Sequence, residues 1–175
     1  MAVDMSSHKT GVAVVDDKRR ILFDTEIDLK SANIETRIGK LYAEMTNIIE
    51  HCVTSYPEQD FIVVLEQARR SRFQAVYAAL RCAQAAVWCA CHGRDIPIRY
   101  VAPIQIRAAL GLPSKASKDD LRKAVEQKFG MLDTTGISQD LIDALGIAEA
   151  YLQGLMVKSR KIGRVYSETK KGRKK

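Results

Sequence analysis

The feature that narrows the fold most is a five-residue run, Phe61 to Leu65 (FIVVL), rich in β-branched side chains and closed off by Asp60 and Glu66. A run of strand length with no polar alternation has no side suited to water, so it predicts a central strand covered on both faces. The cover has to come from helices elsewhere in the chain. From Ala32 to about Ser55 the residues Ile34, Ile38, Leu41, Met45, Ile48 and Ile49 recur at three- and four-residue steps, which predicts an amphipathic helix. Phe73 to about His92 is apolar over most of a helical circumference. Val76, Leu80, Ala83 and Val87 lie on one side, Cys82, Ala86, Cys89 and Ala90 on another, and a narrow polar stripe remains near Arg81 and Gln84. Such a helix needs burial on two sides, against its own core and against a subunit partner.

The remaining elements follow from local signals. Met1 to Asp4, Gly11 to Val15 and Ile21 to Leu29 predict three successive strands, the last two joined as a hairpin, and Ile96 to Val101 a further short strand. Pro103 to Leu110 predicts a short helix. Ser117 with Asp120 forms a capping pair for a helix to Phe129, ended by Gly130, and Ser138 caps a last helix reaching Met156. Strands interleaved with helices in this order make an α/β fold with a mixed sheet.

Composition excludes several classes. The longest apolar run, Ala85 to Cys91, is seven residues, against the roughly 20 that span a bilayer. With Asp4 so near the start and no apolar stretch after Met1, no cleaved secretory signal is expected, and the chain reads as cytoplasmic, with no membrane partner. Cys52, Cys82, Cys89 and Cys91 form no C-x-x-C pair, and His8, His51 and His92 stand at no zinc-binding spacing, so reduced, structural thiols are expected. The net charge of +7 is concentrated at one end: residues 158–175 hold nine Lys or Arg and one Glu, a net +8, which leaves residues 1–157 at −1. This divides the chain into a folded domain, 1–157, and a basic, flexible C-terminal tail, 158–175. A tail of this kind either binds nucleic acid or is simply a solvated end.

Four carboxylates stand out. Asp4 ends one expected strand and Glu66 ends the most apolar one, while Asp140 and Asp143 are three apart and project from one face of the last helix. If they meet at one sheet edge, each pair at about 4 Å repels by roughly 1 to 4 kcal/mol at an effective dielectric between 80 and 20. A cluster like that calls for divalent cations or shifted protonation.

The segments carrying these acids, D-M-S-S-H-K-T-G from Asp4 to Gly11, L-E-Q from Leu65 to Gln67 and D-L-I-D-A-L-G-I-A from Asp140 to Ala148, resemble the three signature segments of RuvC-type Holliday junction resolvases in the RNase H-like superfamily. The likeness runs from residue 1 to about 157. It implies an RNase H-like fold, a five-stranded mixed sheet flanked by helices, and a metal-dependent endonuclease that nicks four-way or branched DNA to leave 5′-phosphate and 3′-hydroxyl ends. On the matching positions it implies Asp4, Glu66, Asp140 and Asp143 as ligands to two Mg2+ ions, with Mn2+ as a substitute. A basic catalytic residue is implied too, with Lys118 the first match and Lys115 the second, and so is a homodimer formed through the alanine-rich helix. The chain's compactness suits a phage or prophage member of the group. Three departures stand against the pattern. Only three residues precede Asp4, Ser6 stands where relatives often have Gly, and the basic tail lies outside the family core.

Each residue has a plainer reading. Asp4 alone is a turn residue and Asp140 alone a helix-start acid favoured by the macrodipole, but Asp143 sits one turn deeper beside Ala144 and Leu145. Lys118 is either a solvated loop lysine or a phosphate-facing charge. Arg69, Arg70 and Arg72 follow Glu66 closely enough to contact phosphates beside the site. Phe73 is either a base-stacking aromatic or the first core residue of its helix, with core preferred. Two rival functions remain: a YqgF-like nuclease acting on structured RNA, and a non-catalytic branched-DNA-binding protein of the same fold.

Overall fold

A computed structural model of the chain describes residues 1–6, 8–30, 33–68, 73–131 and 134–157. Five strands form one sheet: β1 (Ala2–Met5), β2 (Lys9–Val15), β3 (Ile21–Asp28), β4 (Val63–Glu66) and β5 (Ile98–Val101), in the order β3-β2-β1-β4-β5. β1, β2 and β3 pair antiparallel, whereas β4 joins β1 and β5 joins β4 in parallel. The strand-length run therefore begins two residues later than its apolar pattern suggests. Phe61 and Ile62 lead into the ladder half-buried, and the central position belongs to β1, with β4 beside it.

Alternation along the strands divides the core in two. Val3, Val12, Val63 and Leu65 pack on α1 (Ile34–Ser55) and α2 (Gln74–His92). Ala2, Ala13 and Val64 face the other way, onto α3 (Pro103–Ala109), α4 (Lys118–Phe129) and α5 (Gln139–Leu152). The expected helix starts are in place: Asn33 caps α1 through Thr36 N, Ser117 and Asp120 cap α4 reciprocally, and Ser138 accepts from Leu141 N at the head of α5. Gly130 ends α4 in the left-handed region at φ 64°, where a side chain would be strained. Helix α5 stops at Leu152, four residues short of the expected Met156, because Gly154 at φ 72° turns the chain away.

Helix α2 is covered on one face only. Ala83, Ala86, Val87, Ala90 and Cys91 are buried against the core, while Val76 and Trp88 are about half exposed and Cys82 and Cys89 are exposed. All four cysteines are free, but only Cys52 and Cys91 are buried, so the structural-thiol expectation holds for that pair alone. The polar stripe at Arg81 and Gln84 does not face water throughout. Gln84 is buried, and its amide donates to the Glu66 carbonyl at 3.0 Å. Among the described residues no helix is long and apolar enough to cross a membrane.

Candidate active site

Sheet register does most of the assembly. Asp4 on β1 lies opposite Gly11 on β2, and one step beyond the Val3–Leu65 pair the parallel register sets Asp4 beside Glu66 on β4. Residues directly opposite one another share a face, and for this row it is the face that α5 covers. Gly11 explains how α5 comes so close. A Cβ at this position would sit 2.9 Å from the Leu141 amide nitrogen and nearer still to the Asp140 carbonyl. With no side chain in the way, the first turn of α5 rests on β2 and brings Asp140 and Asp143 over the Asp4–Glu66 row. The four acids, distant in sequence, thus occupy one edge of the sheet.

Their charges act on one another. The half-buried Asp4 carboxyl is pushed up to about 8, first by burial and then by Asp143, Glu66 and Asp140, with Lys118 the opposing charge. Burial also raises Asp143, and Asp140 adds to the effect. The Gln139 amide, which donates to Asp143 Oδ1 at 2.9 Å, works the other way, as do Lys118 and Arg107. Lys118 is exposed at the first position of α4, directed against the helix macrodipole, and its charge reaches both Asp4 and Asp143. Lys115 is exposed in the preceding loop.

Two residues at the site carry no motif and escaped the sequence reading. Arg107, half-buried one turn into α3, acts on Asp143, and its Nε is buried without a hydrogen-bond partner. Gln84 holds the end of β4 through the Glu66 carbonyl and is itself oriented by Arg81 Nη1, which donates to Gln84 Oε1 at 2.9 Å. A glutamine immediately before the Ala85–Cys91 apolar run is the one sequence signal that could have marked it. Ser6, where the resemblance favours Gly, closes its turn by side chain instead: its Oγ donates to the Lys9 carbonyl at 2.6 Å and accepts from the Lys9 amide at 3.0 Å. Phe73, preferred as core, is 70% exposed at the N-terminal end of α2, because the helix reaches the core only from about Ala83. Arg69, Arg70 and Arg72 lie outside the described residues.

Among the described residues no three His, Cys, Asp or Glu side chains are gathered tightly enough to chelate an ion as they stand. The donor set nevertheless suits hard divalent cations: four carboxylates, no thiol or imidazole, and one acid, Asp4, whose charge is disfavoured by burial and by its acidic neighbours. A cation of charge two placed among them would reverse the sign of that local potential.

Comparison with known proteins agrees with this geometry. No protein-family model matches the chain. It is 28% identical over 120 residues to the crossover junction endodeoxyribonuclease RuvC of Thermomicrobium roseum, a match taking in 69% of each protein. It is also 28% identical over 152 residues to the protein of that name from Halorhodospira halophila, covering 85% of this chain and 86% of the other. The structure of T. thermophilus RuvC in complex with Holliday junction substrate aligns with a TM-score of 0.73 at 19% identity, over 87% of this chain and 92% of that one. The fold is the one these RuvC structures have. A second Thermus thermophilus RuvC structure aligns at TM-score 0.70 and 20% identity, over 89% of this chain and 96% of that one. The five-stranded mixed sheet and its flanking helices are as the sequence implied.

Proposed function

We propose that the chain is a Holliday junction resolvase, an endodeoxyribonuclease that nicks four-way or branched DNA and leaves 5′-phosphate and 3′-hydroxyl ends. One observation carries the reading: strand register and the close approach of α5 at Gly11 bring Asp4, Glu66, Asp140 and Asp143 to one sheet edge, where burial first and the neighbouring acids second disfavour the Asp4 anion. Natural folds retain such a cluster where a ligand offsets the repulsion. A DNA-binding protein without chemistry would gain nothing from it, since unpaired acids repel phosphate.

Asp4, Glu66, Asp140 and Asp143 would hold two Mg2+ ions, with Mn2+ able to replace them. When bound, such ions polarise a phosphodiester and supply a water of lowered pKa. Lys118 and Arg107 are the cations placed to face charge that develops on the phosphate. Arg69, Arg70, Arg72 and Lys115 would contact the backbone near the cut, and exposed Phe73 is available to stack on an unpaired base. The uncovered face of α2, with its small Ala75, Ala78, Cys82 and Ala85 and the flanking Trp88, suits close approach of a second copy. A two-fold dimer would present two sites to strands of like polarity.

Cleavage of a synthetic four-way junction, with and without Mg2+, tests the proposal beside a matched structured RNA. The expected result is paired nicks in the junction that vanish in Asp4→Asn and Glu66→Gln while both variants still bind it. Preferential cutting of the RNA would favour the YqgF-like alternative, and metal-independent binding with no cleavage would leave a binding protein.

A further inference from the structure

Among the described residues, the buried face of α2 is apolar except at Gln84, which is 4% exposed. An amide buried away from water costs free energy unless its polar ends are hydrogen-bonded, and here both ends are. Gln84 Nε2 donates to the Glu66 carbonyl at 3.0 Å, and Gln84 Oε1 accepts from Arg81 Nη1 at 2.9 Å, three residues back on the same helix. Turned over, the amide would set Oε1 against the Glu66 carbonyl, one acceptor facing another. Arg81 forbids this, because a guanidinium has donors and no acceptor and can engage Gln84 only through Oε1. The side chain of Arg81 is exposed, close enough to β5 for its charge to act on Tyr100.

The amide acts on the peptide that matters for the carboxylate row. Glu66 is the last residue of β4. The peptide after it is held at both ends: Gln67 N–H donates to the Val101 carbonyl at 2.8 Å, and the Glu66 carbonyl accepts from Gln84. With the ladder fixing the strand before it, the orientation of this peptide sets the direction in which the Glu66 side chain projects. Without Gln84 the peptide keeps a single tether at the point where the chain leaves the sheet. We propose that Arg81 is a positioning residue for divalent-cation binding: acting through Gln84, it holds the Glu66 carboxylate in its place beside Asp4. This rests on the resolvase reading and adds to it a residue that touches neither cation nor DNA. A donor–acceptor chain inside an otherwise apolar helix face specifies one geometry where apolar packing alone would tolerate several.

The test is calorimetric titration with Mn2+ in the absence of DNA, beside single-turnover cleavage of a labelled four-way junction in Mg2+ and metal-free binding of the same junction. It compares the wild type with Arg81→Met, Arg81→Lys, Gln84→Leu and the Arg81→Met/Gln84→Leu double variant, each checked for folding by its melting curve. Losing an outer partner of a metal ligand costs about 10- to 100-fold in metal affinity or activity. Arg81 acts through a second residue, so Arg81→Met should weaken Mn2+ binding and slow cleavage by about tenfold each, with metal-free junction affinity unchanged. Arg81→Lys still offers Gln84 Oε1 a donor and should recover most of both. The double variant should be no worse than Gln84→Leu, because the two residues act as one chain. Losses that multiply in the double variant, or unaltered Mn2+ binding in Arg81→Met, overturn the proposal. So does a cleavage defect matched by lost metal-free affinity, which would make Arg81 a phosphate contact. A wild type that binds Mn2+ but leaves the junction uncut counts against the resolvase reading alone, since the titration still decides the role of Arg81; one that binds no divalent cation overturns both.

Discussion

Gly11 offers the sharpest test of how the site is built, because the argument there is purely steric. In Gly11→Ala the new methyl would lie 2.9 Å from Leu141 N and closer still to the Asp140 carbonyl, and all of these are backbone atoms that no rotamer change can move. Ordinary carbon contacts are at about 3.5–4.0 Å, so something must retreat by on the order of 1 Å. Strand β2 is held in register by β1 on one side and β3 on the other. The retreat therefore falls on the N-terminal end of α5, which carries Asp140 in its first turn and Asp143 in the next. Overpacking of this kind costs about 1–3 kcal/mol, and at roughly 2–4 °C per kcal/mol for a domain of this size the melting temperature should fall by about 2–12 °C. Activity should suffer more than stability, since a displacement of ~1 Å at reacting groups costs about 100-fold in rate. Single-turnover cleavage of a junction in saturating Mg2+ measures the first-order step, and metal-free junction binding serves as the control that should survive. A Gly11→Ala protein that cuts and melts like wild type would refute the contact as the device that positions α5.

Other substitutions probe other parts of the argument. Asp4→Asn should raise the melting temperature of the metal-free protein by about 2–8 °C, because it removes a member of a repelling cluster worth roughly 1–4 kcal/mol per close pair, and added Mg2+ should narrow the gap. Calorimetry in EDTA and in Mg2+ reads both effects. Gln84→Leu should lower the cleavage rate about tenfold with little change in junction affinity, since it frees the Glu66 carbonyl without touching a phosphate-facing charge; a rate defect that tracks a loss of affinity would contradict a positioning role. Arg19→Met should destabilise by about 3–5 kcal/mol by leaving the fully buried Glu149 without its partner. Its pH profile should change sign as well. In the wild type, Arg19 and Gln153 hold the Glu149 carboxyl below its ordinary value despite burial, so that stability is present above the carboxylate range and lost as pH falls through it. Without Arg19, burial dominates and acidification should stabilise the protein, which urea unfolding across pH would detect.

How much of this was legible beforehand depended on whether the signal was local. Helix starts at Ser117 and Ser138, the stop at Gly130 and the apolar period of α1 are one- to four-residue patterns, and each is realised. The identity of the central strand was not local. β4 is the more apolar strand, but β1 takes the centre because it pairs antiparallel with β2 on one side and parallel with β4 on the other, a fact of register that hydrophobicity does not encode. The acids were visible as a set only through their neighbouring residues. Arg107 and Gln84 were invisible because they come from a helix turn and an apolar helix that look structural until the sheet edge is assembled around them. Phe73 misled for a related reason: an aromatic at a helix start looks like core, yet α2 is buried only from Ala83 onward and its first turns are exposed.

The placement of Glu149 follows from what the opposite end of its helix must bear. In its first two turns α5 carries two acids of a repelling cluster, and that repulsion tends to lift the helix from the sheet. At its last turn, Glu149 receives Arg19 Nε at 2.7 Å and Arg19 Nη2 at 3.0 Å, and Gln153 bonds both Glu149 and the Ala109 carbonyl at 2.7 Å. Arg19 is held for this at φ 63°, an uncommon backbone setting for a side-chain-bearing residue, in the β2–β3 turn at the end of the sheet away from the carboxylates. Between the two ends Ile142, Ala144 and Ile147 are fully buried. A helix fixed at its far end and along its length cannot relieve the strain at its near end by tilting. The four acids therefore remain together, at a cost in stability that protonation of Asp4 lowers and that a bound cation would offset.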